Sequence, residues 1–360
     1  MKIVVFAGGV GTRLWPLSRK NTPKQFEKII DEKSTLQLTV ERILPICNTK
    51  DIYISSGERY KEILFSQLPQ IPKENFILEP EMRDVGAAVG LIAAILNKVS
   101  KDEPFMILWS DHLVKDEDLF RKVISASEKI LQKDKNKIVF VGQSSRFASQ
   151  NLGWIEIGSA MGDIDGVSLY TFKSFHYRPE PEVAEKFHSD PKHFWNTGYF
   201  GTTPSFLLSL YEKFAPEMQI ILQKIQEAWG KEAYEKTLGE LFPKLEKISF
   251  DNLILEKIDQ KDGYVIGADF GWSDVGAWEA LKEALSTAKD ENVTRGKVLL
   301  ENSKDSLVFN YTEQLSVGID LSEMLVINTD DVLLVCPKNS VPKIKKLVES
   351  LTGSPHENLT

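Results

Sequence analysis

"KIVVFAGGVGTRLWPLSRK", residues 2–20, joins a short apolar run to a glycine-rich loop that ends in basic residues. Ile3 to Phe6 are apolar in succession, which is typical of a strand buried on both faces of a parallel sheet. Open α/β sheets bind ligands beyond the carboxyl ends of such strands. The loop that begins at Ala7 therefore has a position that favours a bound phosphate.

Short β-branched runs alternate with amphipathic segments over the first 142 residues. This alternation predicts a doubly wound, Rossmann-like α/β fold with a mixed, mostly parallel sheet. Residues 152–201 are predicted to form strands and loops, residues 204–258 are predicted to be mainly helical, and no internal repeat is evident. From about residue 290, polar pairs break β-rich runs every ~8–12 residues. We therefore expect one domain over 1–288, and a small β module with a terminal helix over 289–360.

The net charge and the two cysteines limit the classes of partner. A formal charge of −8 argues against nucleic acid and anionic membranes, because such partners require a basic surface. Cys47 and Cys336 have no CxxC spacing, which predicts reduced thiols and a cytoplasmic protein. The longest apolar stretch, residues 85–96, is shorter than the ~20 residues of a membrane span. We expect no nucleic-acid partner and no membrane contact.

Three kinds of phosphate-binding loop are compared with the opening loop. The Walker loop requires lysine and serine or threonine after its last glycine, but Gly11 is followed by Thr12 and Arg13. The dinucleotide fingerprint requires a third glycine, and Leu14 stands at that place. Both motifs are therefore disfavoured.

A glycine loop that cradles a triphosphate remains. Gly8, Gly9 and Gly11 would let backbone N–H groups approach phosphate oxygens. Arg13 and Lys24 would neutralise the charge of the triphosphate. A tight turn with solvated basic residues is the alternative; it accounts for the glycines but not for the basic cluster in an acidic chain.

The same stretch, with "PKQF" at 23–26, resembles the signature of the sugar-1-phosphate nucleotidyltransferases, and within them the mannose-1-phosphate guanylyltransferases. Further motifs occur in the order of that family: "EPEMR" at 79–83, "SDH" at 110–112, "WNTGYF" at 195–200, "FDNLILEK" at 250–257 and "DFGWSDVGAWEAL" at 269–281. The resemblance covers nearly the whole chain. It implies the fold of a nucleotide-diphospho-sugar transferase with a β-helix-like C-terminal module.

Two aspartates are candidates for a metal site. Asp111 follows a predicted strand, and Asp274 lies just before a helix predicted to begin near Val275. Two carboxylates in one pocket repel unless a cation lies between them, and Mg²⁺ is commonly held by one or two carboxylates plus phosphates. The resemblance implies that both bind this metal. For an isolated aspartate a helix N-cap would be the better interpretation, but the constellation favours the metal.

The resemblance also implies the site residues. The expected catalytic residues are Arg13, Lys24, Asp111 and Asp274. The expected nucleotide-binding residues are Ala7, Gly8, Gly9, Gly11, Thr12, Arg13, Lys24, Glu79, Pro80, Arg83, Asp84, Ser110 and Asp111. The expected sugar-phosphate-binding residues are Gly153, Tyr177, Arg178, Asn196 and Asp269. His112 is expected to be a structural hydrogen-bonding residue.

Some positions depart from the family pattern. The family commonly has Phe-x-Glu-Lys-Pro at 175–179, so Arg178 keeps the cation while Tyr177 replaces a carboxylate that binds sugar hydroxyls. Asp84 and Val85 stand where Asn-Thr is usual, and Trp109 replaces a proline near the expected base pocket.

The implied activity is nucleotidyl transfer from GTP to mannose 1-phosphate, with Mg²⁺, giving GDP-mannose and pyrophosphate. Three alternatives remain open: a guanylyltransferase for another sugar 1-phosphate such as a heptose, a glycosyltransferase that consumes nucleotide sugars, and a non-catalytic regulatory paralogue that binds GDP-sugar. Exposed strand edges of the small β module favour a homodimer.

Overall fold

A computed structural model describes residues 1–9, 14–19, 23–30, 32–288 and 290–360. The chain divides into two compact units. The first comprises Met1–Ala7, Val40–Ser110 and Asp116–Phe270; the second comprises Gly8–Thr39, Asp111–Lys115 and Gly271–Thr360. The boundary predicted between residues 288 and 289 stays a prediction.

A mixed sheet forms the centre of the first unit, in the order β5-β4-β1-β6-β10-β7-β11-β9-β8. The strands of the first 270 residues are β1 (Lys2–Phe6), β2 (Lys28–Ile30), β3 (Lys33–Ser34), β4 (Ile52–Gly57), β5 (Phe76–Glu79), β6 (Phe105–Trp109), β7 (Ile138–Ser144), β8 (Gly153–Ile164), β9 (Val167–Tyr177), β10 (His193–Thr202) and β11 (Gly263–Gly267). The pairs β1–β4, β1–β6, β4–β5 and β7–β11 are parallel, whereas β10 is antiparallel to both of its neighbours in this order. The predicted doubly wound α/β fold is confirmed.

The helices are α1 (Thr35–Ile43), α2 (Lys61–Gln67), α3 (Asp84–Ser100), α4 (Glu117–Lys133), α5 (Pro181–Ser189), α6 (Pro204–Phe214), α7 (Pro216–Ala228), α8 (Tyr234–Leu241), α9 (Phe250–Leu253), α10 (Trp278–Leu285) and α11 (Pro342–Leu351). Pro204 and Pro216 stand at the first turns of α6 and α7, where a missing N–H costs nothing. The prediction for 152–201 missed α5, a short helix with a single buried side chain, Ala184. Among the described residues no helix has both the length and the apolar character to cross a membrane.

Helix α3 is central to the core of the first unit. Its residues from Gly86 to Leu96 are all buried, which requires an apolar helix surface on every side. Small residues allow close packing there: a Cβ at Gly90 would lie 2.7 Å from Leu222 Cδ1 and 3.0 Å from Tyr211 Cε1. Asp84, a predicted nucleotide ligand, is therefore the first residue of a firmly packed helix.

The C-terminal strands of the second unit pair in parallel in successive turns, except the last, which is antiparallel to its neighbour. They are β12 (Val293–Arg295), β13 (Val298–Glu301), β14 (Leu307–Asn310), β15 (Ser316–Ile319), β16 (Met324–Asn328) and β17 (Leu333–Pro337). In the parallel pairs β13–β15 and β14–β16, each residue pairs with the residue 18 positions further along the chain. The bridge between Lys304 and Ser322 and the hydrogen bond between Asn310 and Asn328 have the same spacing. Three such pairings per coil confirm the β-helix-like module, and they show a structural repeat that the sequence analysis missed.

Asn310 stabilises two successive coils. Its buried amide donates to the carbonyl of Lys297 at 3.0 Å and accepts from Asn328 Nδ2 at 3.1 Å. Asn328 stands one coil further along. Because a buried backbone carbonyl needs a donor, an asparagine at this place satisfies a polar group that the coil itself leaves unpaired.

Candidate active site

Neither of the two candidate metal-binding aspartates caps a helix. Asp116, not Asp111, caps α4, since its side chain accepts the N–H of Leu119 at 2.9 Å. The expectation that a helix begins near Val275 was wrong: α10 begins at Trp278, and Ala277 is its N-cap. The N-cap alternative therefore fails for both Asp111 and Asp274.

A backbone bridge in the second unit lays the two aspartate segments side by side. Leu113 N donates to Ser273 O at 2.9 Å, and Ser273 N donates to Leu113 O at 3.0 Å. In an antiparallel pair of this kind the residues that flank the bridge face neighbouring residues of the other segment. Asp111 and Asp274 therefore lie on adjacent segments, two residues and one residue from the bridge.

Lys24 contacts both of these segments. Its Nζ lies 2.9 Å from Asp111 Oδ2 and donates to the carbonyl of Val275 at 3.0 Å. Val275 is buried and has φ +39, which is unusual for a β-branched residue. Burial would raise the pKa of Asp111, but the charge of the Lys24 ammonium outweighs it and holds that pKa below its ordinary value. The structure thus presents an ionised carboxylate against a buried ammonium.

His112 is oriented by an indole. Trp272 Nε1 donates to His112 Nδ1 at 3.1 Å, so Nδ1 is an acceptor. The ring proton of a neutral His112 is then on Nε2, which lies 3.8 Å from Asp111 Oδ1. This geometry is that of a side chain held in place beside Asp111, in agreement with the expected structural role.

Gln25 supports the glycine loop and was not among the predicted site residues. Its buried side chain donates from Nε2 to Gly9 O at 3.3 Å. Gly9 has φ +99, a conformation that favours glycine. The available signal in the sequence was the place of Gln25 directly after Lys24 in the motif "PKQF". The predicted residues Gly11, Thr12 and Arg13 lie outside the described part of the chain.

In the first unit, the predicted nucleotide residues Ala7 and Ser110 stand at the carboxyl ends of two neighbouring strands. Ser110 N donates to Phe6 O at 3.0 Å. Ala7 N donates to Ser55 O at 2.8 Å, and Ser56 Oγ donates to Ala7 O at 2.5 Å. Each backbone group named here has a hydrogen-bond partner within the sheet edge.

Four predicted nucleotide-binding residues lie between the end of β5 and the start of α3: Glu79, Pro80, Arg83 and Asp84. Arg83 forms an ion pair with Glu81 at 3.1 Å, and Asp84 has φ +65, with its Oδ1 accepting the N–H of Val85. Burial raises the pKa of Glu79 to about 8, although a 3.4 Å hydrogen bond from Ser55 Oγ partly opposes this. Glu79 is therefore largely protonated at neutral pH.

The raised pKa of Glu79 predicts a dependence of stability on pH. The folded protein keeps a proton that the unfolded chain releases between pH 4.5 and about 8, so the free energy of unfolding falls as the pH rises through this window. Glu79→Gln should flatten that fall and raise Tm above that of the wild type at pH 8.5, while the two proteins agree near pH 5. Thermal denaturation across this range measures it. Glu81→Gln, an exposed neighbour, is the control; parallel wild-type and Glu79→Gln curves would contradict the assignment.

Backbone pairing brings four predicted sugar-phosphate residues together in the first unit. Gly153 pairs with Tyr177 across β8 and β9, and a Cβ at Gly153 would lie 3.4 Å from Asn196 Cβ. Arg178, with φ +48, stacks its guanidinium 4.9 Å from the ring of Tyr177. Two carboxyl groups adjoin this cluster: Glu256 Oε1 accepts the N–H of Tyr177 at 3.2 Å, and burial raises the pKa of Asp251 to about 6.

Asp269 joins the same cluster through Gly142, which pairs with Asn196 in β10 and accepts the N–H of Ala268 at 3.0 Å. The Asp269 carboxylate accepts a hydrogen bond from Gln143 Nε2 at 2.5 Å. The structure therefore places all five predicted sugar-phosphate residues in one region of the first unit.

Trp109 supports the turn that presents Asn196. Asn196 Oδ1 accepts the N–H of Gly198 at 3.1 Å, and Trp109 Nε1 donates to Gly198 O at 3.0 Å. Gly198 has φ +76, and a Cβ there would lie 2.5 Å from Trp109 Nε1. The tryptophan that replaces a proline thus contacts the sugar-side motif through its indole.

The chain is similar to known proteins in both sequence and structure. The model of the nucleotidyl transferase family matches residues 2–291. Mannose-1-phosphate guanylyltransferase 2 of Escherichia coli O157:H7 is 30% identical over 97% of this chain and 73% of its own length. The mannose-1-phosphate guanylyltransferase of Salmonella muenchen is 30% identical over 98% of this chain and 73% of its own length. The crystal structure of mannose-1-phosphate geranyltransferase from Thermus thermophilus superposes with a TM-score of 0.86, 25% identity and coverage of 98% of this chain and 99% of that one. The chain therefore belongs to the nucleotidyl transferase family.

Proposed function

We propose that this protein transfers a guanylyl group from GTP to mannose 1-phosphate, giving GDP-mannose and pyrophosphate. The names of its relatives support this choice of nucleotide and sugar. The observation that carries the chemistry is the buried Lys24 held between Asp111 and the carbonyl of Val275, on the segment that follows Asp274. An ammonium and two carboxylates on adjacent segments suit a reaction in which phosphate charge must be positioned and neutralised.

The sugar phosphate itself is the nucleophile. A phosphate monoester has a second pKa near ~6, so its oxygen is already ionised at neutral pH and needs no general base. That oxygen bonds to the α-phosphorus of GTP as the bond from the α-phosphorus to the bridging oxygen breaks, and pyrophosphate leaves with the electron pair. Lys24 neutralises charge on the phosphates, and the glycine loop with Arg13 positions them. His112 takes no proton in this scheme.

Asp111 and Asp274 fit a divalent cation of the Mg²⁺ type. Hard cations prefer oxygen ligands, and Mg²⁺ is usually held by one or two carboxylates with substrate phosphates supplying further oxygens. Among the described residues no group of three or more His, Cys, Asp or Glu side chains is placed so that it could hold a metal ion. When bound there, Mg²⁺ would withdraw charge from the triphosphate oxygens.

The cluster around Gly153 supplies groups for the sugar phosphate. In our proposal Arg178 binds the phosphate, because a guanidinium matches its oxygens bidentately. Asn196 and Asp269 bind sugar hydroxyls, and Gly153 lets the ring approach the backbone. Tyr177 offers a phenol where the family commonly has a carboxylate.

A substrate panel tests the proposal. Pyrophosphate release is measured with Mg²⁺ for GTP, ATP, CTP, UTP and dTTP, each with mannose, glucose and a heptose 1-phosphate. We expect release with GTP and mannose 1-phosphate to exceed every other pair. Release with another sugar would replace mannose and keep the mechanism. Binding of a nucleotide sugar without release from any pair would refute catalysis.

We also propose a cytoplasmic homodimer. Cys47 and Cys336 are both free thiols, as a reducing compartment requires. The outer face of β13 and β15 exposes Leu299, Val317 and Ile319, each more than half accessible, and apolar faces of this kind favour self-association.

A further inference from the structure

The ammonium of Lys24 contacts the Asp111 carboxylate, which is also a ligand of the proposed metal site. Its Nζ is 2.9 Å from Asp111 Oδ2, and its other partner here is the neutral carbonyl of Val275 at 3.0 Å. The side chain is only 11% exposed, so it has little freedom to leave without a replacement partner. Lys24 and Asp111 thus form an ion pair in which the lysine side chain is largely buried.

Two cations at one carboxylate repel each other strongly at distances of a few ångströms. A divalent ion that bound Asp111 would therefore displace Lys24 from Oδ2. The displaced ammonium would keep one neutral acceptor, the carbonyl of Val275, and would turn to the nearest anion. In a nucleotide complex that anion is a phosphate oxygen.

We propose that Lys24 and the divalent cation compete for Asp111, so that metal entry releases Lys24 to the phosphates. Lys24 then has two roles in sequence: it neutralises Asp111 before ligands bind, and it binds the departing pyrophosphate afterwards. This inference rests on the metal assignment in the proposed function. It adds that, before substrate binds, the lysine opposes metal binding instead of assisting it.

Metal titration without substrates tests the competition. Free Mn²⁺ is followed by electron paramagnetic resonance in the wild type and in Lys24→Met, which removes the charge and keeps the buried aliphatic stem. We expect Lys24→Met to bind Mn²⁺ about tenfold more tightly or better, because a positive charge beside the ligand is gone. Protein-bound Mn²⁺–GTP, separated from unbound Mn²⁺–GTP by ultrafiltration, should show the reverse order, since the variant lacks the ammonium that holds the phosphates. Equal or weaker Mn²⁺ binding by Lys24→Met without nucleotide would overturn the proposal.

Matched variants keep the result interpretable. Lys28→Met removes an exposed charge from the same segment, and its Mn²⁺ affinity should equal that of the wild type. A gain equal to that of Lys24→Met would show a general charge effect and refute the competition. Asp111→Asn should weaken Mn²⁺ binding. In a background that carries Asp111→Asn, Lys24→Met should no longer increase the Mn²⁺ affinity. Should Lys24→Met fail to fold by circular dichroism, Lys24→Gln, which can still donate to Val275, replaces it with the same expectation.

The titration separates this inference from the proposed function. Its first arm contains no nucleotide and no sugar, so a different substrate specificity leaves the outcome of that arm unchanged. If the wild type releases pyrophosphate but Lys24→Met binds Mn²⁺ no more tightly than the wild type, the competition alone is refuted. Absence of protein-bound Mn²⁺ from the wild type and every variant, both alone and in the ultrafiltration with GTP, would refute both the metal site and this inference.

Discussion

Asp274→Asn is expected to lower kcat by about 10³-fold and to leave the fold intact, since removal of a group that stabilises transition-state charge has effects of this size. Asparagine has nearly the same shape but lacks the charge that attracts a divalent cation. Asp274 does not cap α10, whose N-cap is Ala277, so the substitution removes no helix-capping interaction. Initial rates of pyrophosphate release at saturating GTP, sugar phosphate and Mg²⁺ measure the loss, and circular dichroism checks the fold.

Asp111→Asn should reduce turnover to a similar extent. Asp330→Asn is the matched control, because it removes one exposed carboxylate from the same unit and should retain wild-type rates. Wild-type turnover in both Asp274→Asn and Asp111→Asn would eliminate the proposed metal site. A loss in only one of them would assign the metal to that aspartate alone.

The second large effect concerns stability. Trp278→Ala should lower the free energy of unfolding by about 3–5 kcal/mol, as expected when a large buried aromatic side chain is truncated. Trp278 is 1% exposed, its ring centroid lies 5.9 Å from that of Phe309, and its Nε1 donates to Trp15 O at 3.0 Å. The substitution removes the ring contacts and leaves a buried carbonyl without its donor.

Urea denaturation followed by circular dichroism measures this change without relying on tryptophan fluorescence. Trp278→Phe keeps an aromatic ring and loses the hydrogen bond, so it should cost less than the alanine variant. Val317→Ala, at an exposed apolar residue of the β module, should change stability by less than about 0.5 kcal/mol. A loss of less than about 1 kcal/mol of unfolding free energy in Trp278→Ala would show that the contacts of Trp278 with Phe309 and Trp15 do not determine the stability of the second unit.

Sequence patterns predicted the elements correctly where the signal is local. A strand such as β1 is recognisable because its short run of successive apolar residues, bounded by a glycine-rich loop, is typical of a strand buried on both faces. Pro204 and Pro216 lie at the first turns of α6 and α7, where the missing N–H of proline costs no hydrogen bond. Where local signals are weak the prediction failed: α5 buries one residue, and α10 begins after Ala277, a poor N-cap that no sequence rule would select.

The 18-residue coil shows a different limit. Asn310 and Asn328 occupy equivalent places and hydrogen-bond to each other, yet the coils share few identical residues. Parallel stacking requires only that inward positions be apolar or satisfied by hydrogen bonds, so many sequences fit it. Register is therefore visible in the backbone pairing and nearly invisible in the sequence.

The sequence alone determined the α/β class, the order of the motifs and the residue types available for phosphate and metal chemistry. Only the tertiary structure decided which of these side chains meet. Lys24 reaches the carbonyl of Val275 across 251 residues of chain, and Leu113 pairs with Ser273 from a distant segment. Such contacts form because the whole core fixes where each segment ends, and no local pattern specifies the partner of a side chain so far along the chain.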